Sequence, residues 1–383
     1  QLDLPADQTT RDAAELEAPP PLRPSLPELH PEGASLRPAL DLLARARRPI
    51  VLAGMGVLWD RAHEGLRALV EQLGAPLLTT TKAKGVLPED HPLRAGALIG
   101  GLIEREIVGR ADLIVAVGLD TVELQPKPWP YTAPVLALAS TASQDGIVPA
   151  SVELVGRLGP LTAALAARAS AGSGWGEAAA RAYRAELSDA LDLPGRGLTP
   201  HRLVEVARAA LPRQTVATVD SGAHRLLVVQ KWSADEPRGL LSSNGLATMG
   251  YAIPAALGAR LVHPDRPIVA FTGDGGFLMA IAELQTAVQE RLPISVVVFD
   301  DREIGQIRVK QEIKGLPRHG IGLGGIDYEK LAAGLGADGV VVDSEPALAD
   351  ALAAARRSSR LSVIAARIDP STYVEQFNAL REL

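Results

Sequence analysis

The sequence predicts an α/β fold of two Rossmann-like domains, each a mostly parallel sheet flanked by helices. Three observations carry that prediction. Short apolar, β-branched runs alternate with amphipathic helical stretches, the pattern of strands covered on both faces by crossover helices. A length of 383 residues suits two domains with connectors better than one core, at roughly 150 residues per domain. Clusters of proline and glycine punctuate the chain between the periodic segments.

Taken in order, QLDLPAD at positions 1–7 alternates apolar and polar residues like the last strand of a preceding unit, so an N-terminal domain is expected upstream. Between Ala18 and Pro38 the residues Pro19, Pro20, Pro21, Pro24, Pro27 and Pro31 favour extended backbone, and residues 1–34 read as a domain end plus a linker. Residues 35–171 form the central domain. Its strands fall in RPIVLAGMG, APLLTTT, ADLIVAVG, PVLALA and VELVG, with a helix at AHEGLRALVEQLG. SAGSGWG and LDLPGRGLTP bracket a helical stretch, so residues 172–198 read as a linker with a helix. Residues 199–383 form the second domain, with strands in QTVATVD, RPIVAFTGD, LPISVVVFD, DGVVVD and LSVIAARI and helices at HRLVEVARAAL and LADALAAARR.

Composition narrows the function. The apolar fraction of 47% and charged fraction of 22% describe a chain able to bury large cores. A net charge of -6 gives no basic surface for nucleic acid or anionic membrane, so a bound anion must be held locally. The absence of cysteine excludes disulfides and thiolate chemistry and fits a reducing, cytoplasmic setting. No apolar run reaches the roughly 20 residues of a membrane span, and no signal-peptide pattern opens the sequence.

The chemistry is expected between Phe271 and Gln311. A strand ends in Gly273-Asp274-Gly275-Gly276, where glycines let backbone amides approach an anion while the carboxylate repels it unless a cation lies between. A helix over residues 278–291 spans about 21 Å, and the strand ISVVVFD returns about 23 Å. The two lengths nearly cancel, which brings Asp301 to the edge that carries Asp274. Two carboxylates beside a phosphate suit Mg²⁺. Glu303, Ile304 and Gly305 follow, and could add a backbone carbonyl and amide. GDG alone is equally an ordinary turn, and Gly54-Met55-Gly56 has Trp59 where a dinucleotide loop needs its third glycine, which argues against an NAD site.

The longer pattern, GDGGF, then AELQTAV, an apolar strand and a polar pair with Asp301 27 residues after Asp274, resembles the diphosphate-binding signature of thiamine-diphosphate (ThDP) enzymes. Other segments resemble the acetolactate synthase, benzoylformate decarboxylase and pyruvate oxidase group of that superfamily. Asp220-Ser221-Gly222-Ala223-His224 is similar to its phosphate-side loop, SSNGLATMGYAIPAALGA (242–259) to the segment that grips the cofactor rings, and KGVLPEDHPLRAG (84–96) to its central domain. The resemblance implies cofactor contacts from Gly222, Ala223, His224, Gly273, Asp274, Gly275, Gly276, Asp301, Glu303, Ile304 and Gly305. It also implies a ring contact from the Ala247 carbonyl and a wedge at Met249. On residue type alone, His224 reads as a cap or core histidine and Met249 as core filler.

Asp274, Asp301 and Glu303 are the implied Mg²⁺ ligands, and Gln306 and Lys310 the candidates for the substrate edge. The chain departs from the family in carrying Asp300-Asp301 where an Asn pair is usual, Lys310 where biosynthetic acetolactate synthases place Trp, and LDTVELQPKPW where their flavin segment reads FDDR, which argues against FAD. The resemblance thus implies a ThDP- and Mg²⁺-dependent decarboxylase or carboligase of 2-oxo acids, acting as a homodimer or homotetramer. Its activating glutamate is expected on the N-terminal domain, so this chain alone is expected to be inactive. Two rival readings are a non-catalytic binding or regulatory module and a flavin- or nucleotide-binding redox protein.

Overall fold

The computed structural model describes residues 34–124, 127–143, 146–172 and 174–381. The strand-like start and most of the proline-rich linker lie outside them. The first sheet comprises β1 (Pro49–Ala53), β2 (Leu77–Thr79), β3 (Arg94–Ala97), β4 (Leu113–Val117), β5 (Val135–Ala139) and β6 (Val152–Val155). They are all parallel, in the order β3-β2-β1-β4-β5-β6. The second comprises β7 (Val216–Val219), β8 (Leu240–Ser242), β9 (Ile268–Gly273), β10 (Ser295–Asp300), β11 (Asp338–Val342) and β12 (Ser362–Arg367). It too is parallel, in the order β11-β12-β10-β9-β7-β8. Two α/β layers with parallel sheets are therefore present, and every residue of β1, β4, β7 and β10 is buried, as strands covered on both faces must be.

Four features differ from the sequence reading. Strands β3 (RAGA) and β8 (LLS) carry no apolar run of strand length, and both are edges held by main-chain pairing. Residues 34–38 are not extended: a 3₁₀ turn at Ala34–Leu36 leads into the helix Arg37–Arg45, where Pro38 sits in the first turn, the helical position that tolerates it. The helix after GDG is two helices, Asp274–Met279 and Ile281–Gln289, because Ala280 between them leaves helical geometry. Finally, the helix Trp175–Leu191 is packed into the protein. Trp175 Nε1 donates to Pro49 O at 3.0 Å, and a Cβ on Gly96 would come within 2.8 Å of the Tyr183 ring. It covers the otherwise open β3 edge.

The two sheets share an apolar core. One buried cluster runs from Ile50, Leu52 and Ala95 of the first sheet through Tyr183 and Leu187 to Ala217, Phe271 and Val297 of the second. Separate clusters cover the outer face of each sheet. Polar contacts fasten the seam. Gln230 inserts its amide beside β3, accepting from Ala97 N at 3.2 Å and donating to Ala97 O at 3.1 Å. Buried Lys84 pairs with Glu89 at 3.0 Å, and Glu89 also pairs with Arg94 at 2.6 Å. Gly85, at φ +89°, passes so close to Glu236 that a Cβ would lie 2.0 Å from its carbonyl oxygen. No helix among the described residues is long and apolar enough to cross a membrane.

Two outcomes are expected. Gln230→Leu strands a buried amide and a buried carbonyl of Ala97, which costs on the order of 1–3 kcal/mol for each. An unchanged denaturant midpoint would show that the seam does not depend on this pair. Glu104 is buried and accepts from Ile99 N at 2.6 Å and Gly100 N at 2.8 Å, and burial raises its carboxyl to about 7. A folded-state value above the unfolded one means that the native state holds the proton longer, so this stability contribution is full below the unfolded value and lost as pH rises through about 7. Unfolding free energies measured from pH 4.5 to 7.5 should therefore show a flatter pH profile in Glu104→Gln than in the parent chain.

Candidate functional site

In the second sheet the strand order reverses between β7 and β9: β8 lies outside β7, whereas β9 and β10 follow on the other side. Crevices at the carboxyl ends of strands form at such a reversal. The helices Ala223–Lys231, Asp274–Met279 and Gly305–Ile313 begin at this edge, directly after β7, β9 and shortly after β10. Their free amides and dipoles make the edge attractive to an anion. The loop that returns from the last of these helices pairs back on it, with Ile304 N donating to Ile321 O at 2.8 Å and Leu323 N to Arg302 O at 3.0 Å.

The pocket so formed, about 80 Å³, is lined by Gly222, Ala223, His224, Met249, Gly273, Asp274, Gly275, Gly276, Asp301, Glu303, Ile304, Gly305 and Gln306, together with Ser221, Phe299, Ile307 and Tyr373. Ala247 lines a neighbouring cavity instead. Lys310 is not on the pocket wall; it lies in the last turn of Gly305–Ile313. Tyr373, buried and at the start of the helix Tyr373–Leu380, is the wall residue that sequence reasoning missed most completely. It stands 72 positions beyond Asp301 in a stretch with no local motif, and only the fold brings it there.

The electrostatics centre on two carboxylates. Asp274 Oδ1 accepts from Gly275 N at 2.8 Å, whereas its Oδ2 is buried without a hydrogen-bond partner. Burial, with the nearby negative charge of Asp300, raises Asp274 to about 6. Burial and then the charge of Asp274 raise Asp301 to about 7. Asp301 therefore lies close enough to feel the charge of Asp274, and no side chain pairs with Asp274 Oδ2. Glu303 turns its carboxylate to Arg308 at 3.0 Å, which leaves its backbone carbonyl as what it can offer an ion. Among the described residues no group of three His, Cys, Asp or Glu side chains is placed to hold a metal by itself. The donor set is two carboxylates plus main chain, which fits a hard cation that shares its coordination sphere with phosphate oxygens and water.

Neutral groups complete the wall. His224 stacks on Phe299 at 4.8 Å between ring centres, and burial lowers it to about 3, so it is uncharged at neutral pH with Nε2 buried and unpartnered. Asp220 ties the edge together: its Oδ1 accepts from Tyr251 N at 2.6 Å and Ala252 N at 2.8 Å, and its Oδ2 from Thr272 Oγ1 at 2.5 Å. Gly276 must lack a side chain, because a Cβ there would lie 2.3 Å from Asp220 Oδ2. A Cβ on Gly275 would meet Met249 Cε at 3.2 Å, so the methionine side chain lies over the glycine turn. Ala247 and Arg302 hold left-handed backbone, at φ +48° and +60°, in the two loops that flank the site.

The first sheet has its own cleft of about 680 Å³ at the reversal between β1 and β4. Its Gly54-Met55-Gly56 turn has little left for a phosphate. Gly54 N donates to Val117 O, Gly56 N to Gly118 O, and Met55 N to Glu123 Oε2 at 2.7 Å.

Comparison with known proteins agrees with this division. Residues 36–165 match the family described as thiamine pyrophosphate enzyme, central domain, and residues 220–366 match thiamine pyrophosphate enzyme, C-terminal TPP binding domain. A sulfoacetaldehyde acetyltransferase of Alcaligenes xylosoxydans xylosoxydans is 28% identical over 90% of this chain and 63% of its own length. A probable acetolactate synthase large subunit of Methanococcus aeolicus is 28% identical over 90% and 61%, and a probable 2-ketoarginine decarboxylase of Pseudomonas aeruginosa is 35% identical over 73% and 50%. The chain thus spans roughly half to two thirds of the length of the curated relatives it matches. With both matches falling on the two sheets, and the C-terminal one containing the paired carboxylates, the chain belongs to the thiamine pyrophosphate enzymes and carries their central and C-terminal domains.

Proposed function

We propose that this chain is the cofactor-holding part of a ThDP- and Mg²⁺-dependent decarboxylase or carboligase of 2-oxo acids, similar to acetolactate synthase. The observation that carries the reading is the buried, unpartnered Asp274 Oδ2 in one pocket with a second, half-buried carboxylate, Asp301. Two such groups repel each other and any diphosphate, and a divalent cation between them reverses the sign of both interactions. Asp274, Asp301 and the Glu303 carbonyl would hold Mg²⁺. Ala223, Gly275, Gly276 and Gly305 would bring backbone amides to the diphosphate, and neutral His224 can donate one hydrogen bond without adding charge. Met249, lying over Gly275, would press on the rings. Gln306, on the wall of the same pocket, would face the substrate edge.

When bound, ThDP supplies the electron sink for breaking a bond beside a 2-oxo group. The relatives named for acetolactate synthesis and 2-ketoarginine decarboxylation favour a 2-oxo acid as substrate. The activating glutamate is assigned to the part of the whole protein that this chain does not cover, which makes the chain alone a binder without turnover. A homodimer or homotetramer and a cytoplasmic setting accompany this reading.

Calorimetry should find ThDP binding that depends on Mg²⁺ and is abolished by a chelator, with Asp274→Ala weakening it about 100-fold, or near 3 kcal/mol; equal affinity in that variant would refute the site. At position 301 the liganding role is separable from the charge. Asp301→Asn keeps an oxygen donor and should hold the cofactor within about tenfold of the parent, whereas Asp301→Ala should lose roughly as much as Asp274→Ala.

A further inference from the structure

At the seam of the two domains a separate cavity of about 160 Å³ is lined by Thr81 and Glu123 on one side and by Arg225, Asn244, Ala247 and Arg381 on the other. Arg225 lies in the first turn of the helix Ala223–Lys231, and Arg381 follows the helix Tyr373–Leu380. Arg225 spends its donors on neutral oxygens: Nε reaches Ser242 Oγ at 3.1 Å, and Nη2 reaches Ser243 O at 3.2 Å and Asn244 Oδ1 at 3.4 Å. Among the described residues neither guanidinium forms an ion pair, and the charge that acts on Arg225 is the like charge of Arg381. Burial, followed by that repulsion, lowers Arg225 to about 10, and burial lowers Arg381 as well. Glu123, the acid on the wall, has both oxygens engaged: Oε2 accepts from Met55 N at 2.7 Å and Oε1 from Asn244 Nδ2 at 3.3 Å.

Two half-buried guanidinium groups of like charge line one cavity without an ion pair to either, and an oxyanion between them offsets both the desolvation and the repulsion. The flat fork of a guanidinium matches paired oxygens. We propose that this seam is a binding site for a small oxyanion, the carboxylate, sulfonate or phosphate group of a small molecule, held between Arg225 and Arg381. The cavity has room for a few heavy atoms beyond the anionic group. Ala247 lines it while Met249 lines the carboxylate pocket, so one short segment separates the two sites. The arginines belong to neither the metal site nor the diphosphate site, and the inference stands apart from the cofactor reading.

The test uses this chain without ThDP or Mg²⁺, titrated by calorimetry with acetate, ethanesulfonate or inorganic phosphate at constant ionic strength. Saturable binding of at least one probe is expected, and the tightest of the three identifies the anionic group. Arg225→Gln and Arg381→Gln should each weaken binding at least tenfold, whereas Arg360→Gln, which alters an exposed arginine paired with Asp338, should not. Should Arg225→Gln fail to fold, Arg381→Gln at the end of the last helix keeps the comparison decisive. Binding of none of the probes, or equal affinity in Arg381→Gln, overturns the proposal, and neither result bears on the ThDP site.

Discussion

A buried carboxylate with one oxygen left unpartnered, beside a second, half-buried one in the same pocket, is the constraint on which the site edge of the second domain depends. The charge of Asp274 raises the cost of ionising Asp301, the charge of Asp300 does the same to Asp274, and Asp274 Oδ2 has no hydrogen-bond partner among the described residues. Such a pair persists only where the fold over-determines it. Here the determination comes from β9 and β10, whose register sets Gly273 opposite Phe299, so that the residues leaving both strands emerge at one level. Asp220 then locks that level by accepting from the start of the helix Ala252–Val262 and from Thr272 at the end of β9. The glycines follow from the same crowding, since Gly276 and Gly305 each lie where a side chain would collide with an aspartate.

Much of this was legible in the sequence because it rests on local rules. Strands buried on both faces read as unbroken apolar runs, and β1, β4, β7, β9, β10 and β12 were visible for that reason. The edge strands β3 and β8 were not, since main-chain pairing to a neighbour leaves no side-chain pattern behind. The convergence of Asp274 and Asp301 followed from matching the length of a crossover to that of a strand. That arithmetic survived the break at Ala280 because both helical pieces remain within the same crossover.

What stayed hidden depends on contacts between distant segments. Tyr373 reaches the pocket wall from a stretch near residue 373, and the carboxylate of Glu303 is taken up by Arg308. The packed helix Trp175–Leu191 looked like a connector because glycine and proline flank it, and its buried face is fixed by β3, which was itself unseen. The departures at Asp300 and Asp301 could be read as letters but not as positions. Asp300, the last residue of β10, accepts from Tyr328 Oη at 3.4 Å, whereas Asp301 lines the pocket.

The apolar cluster that runs unbroken from one sheet to the other bears on how such a protein can be re-engineered. Grafting either half onto a homologous scaffold would cut through Tyr183, Leu187 and their neighbours and leave a greasy wound on both pieces. A workable chimera would have to carry the helix Trp175–Leu191 with the half that contains β3, and recreate on the other half a glutamine at the position of Gln230. The natural unit of exchange is therefore the pair of domains together, and the boundary drawn by family matches is not a place to cut.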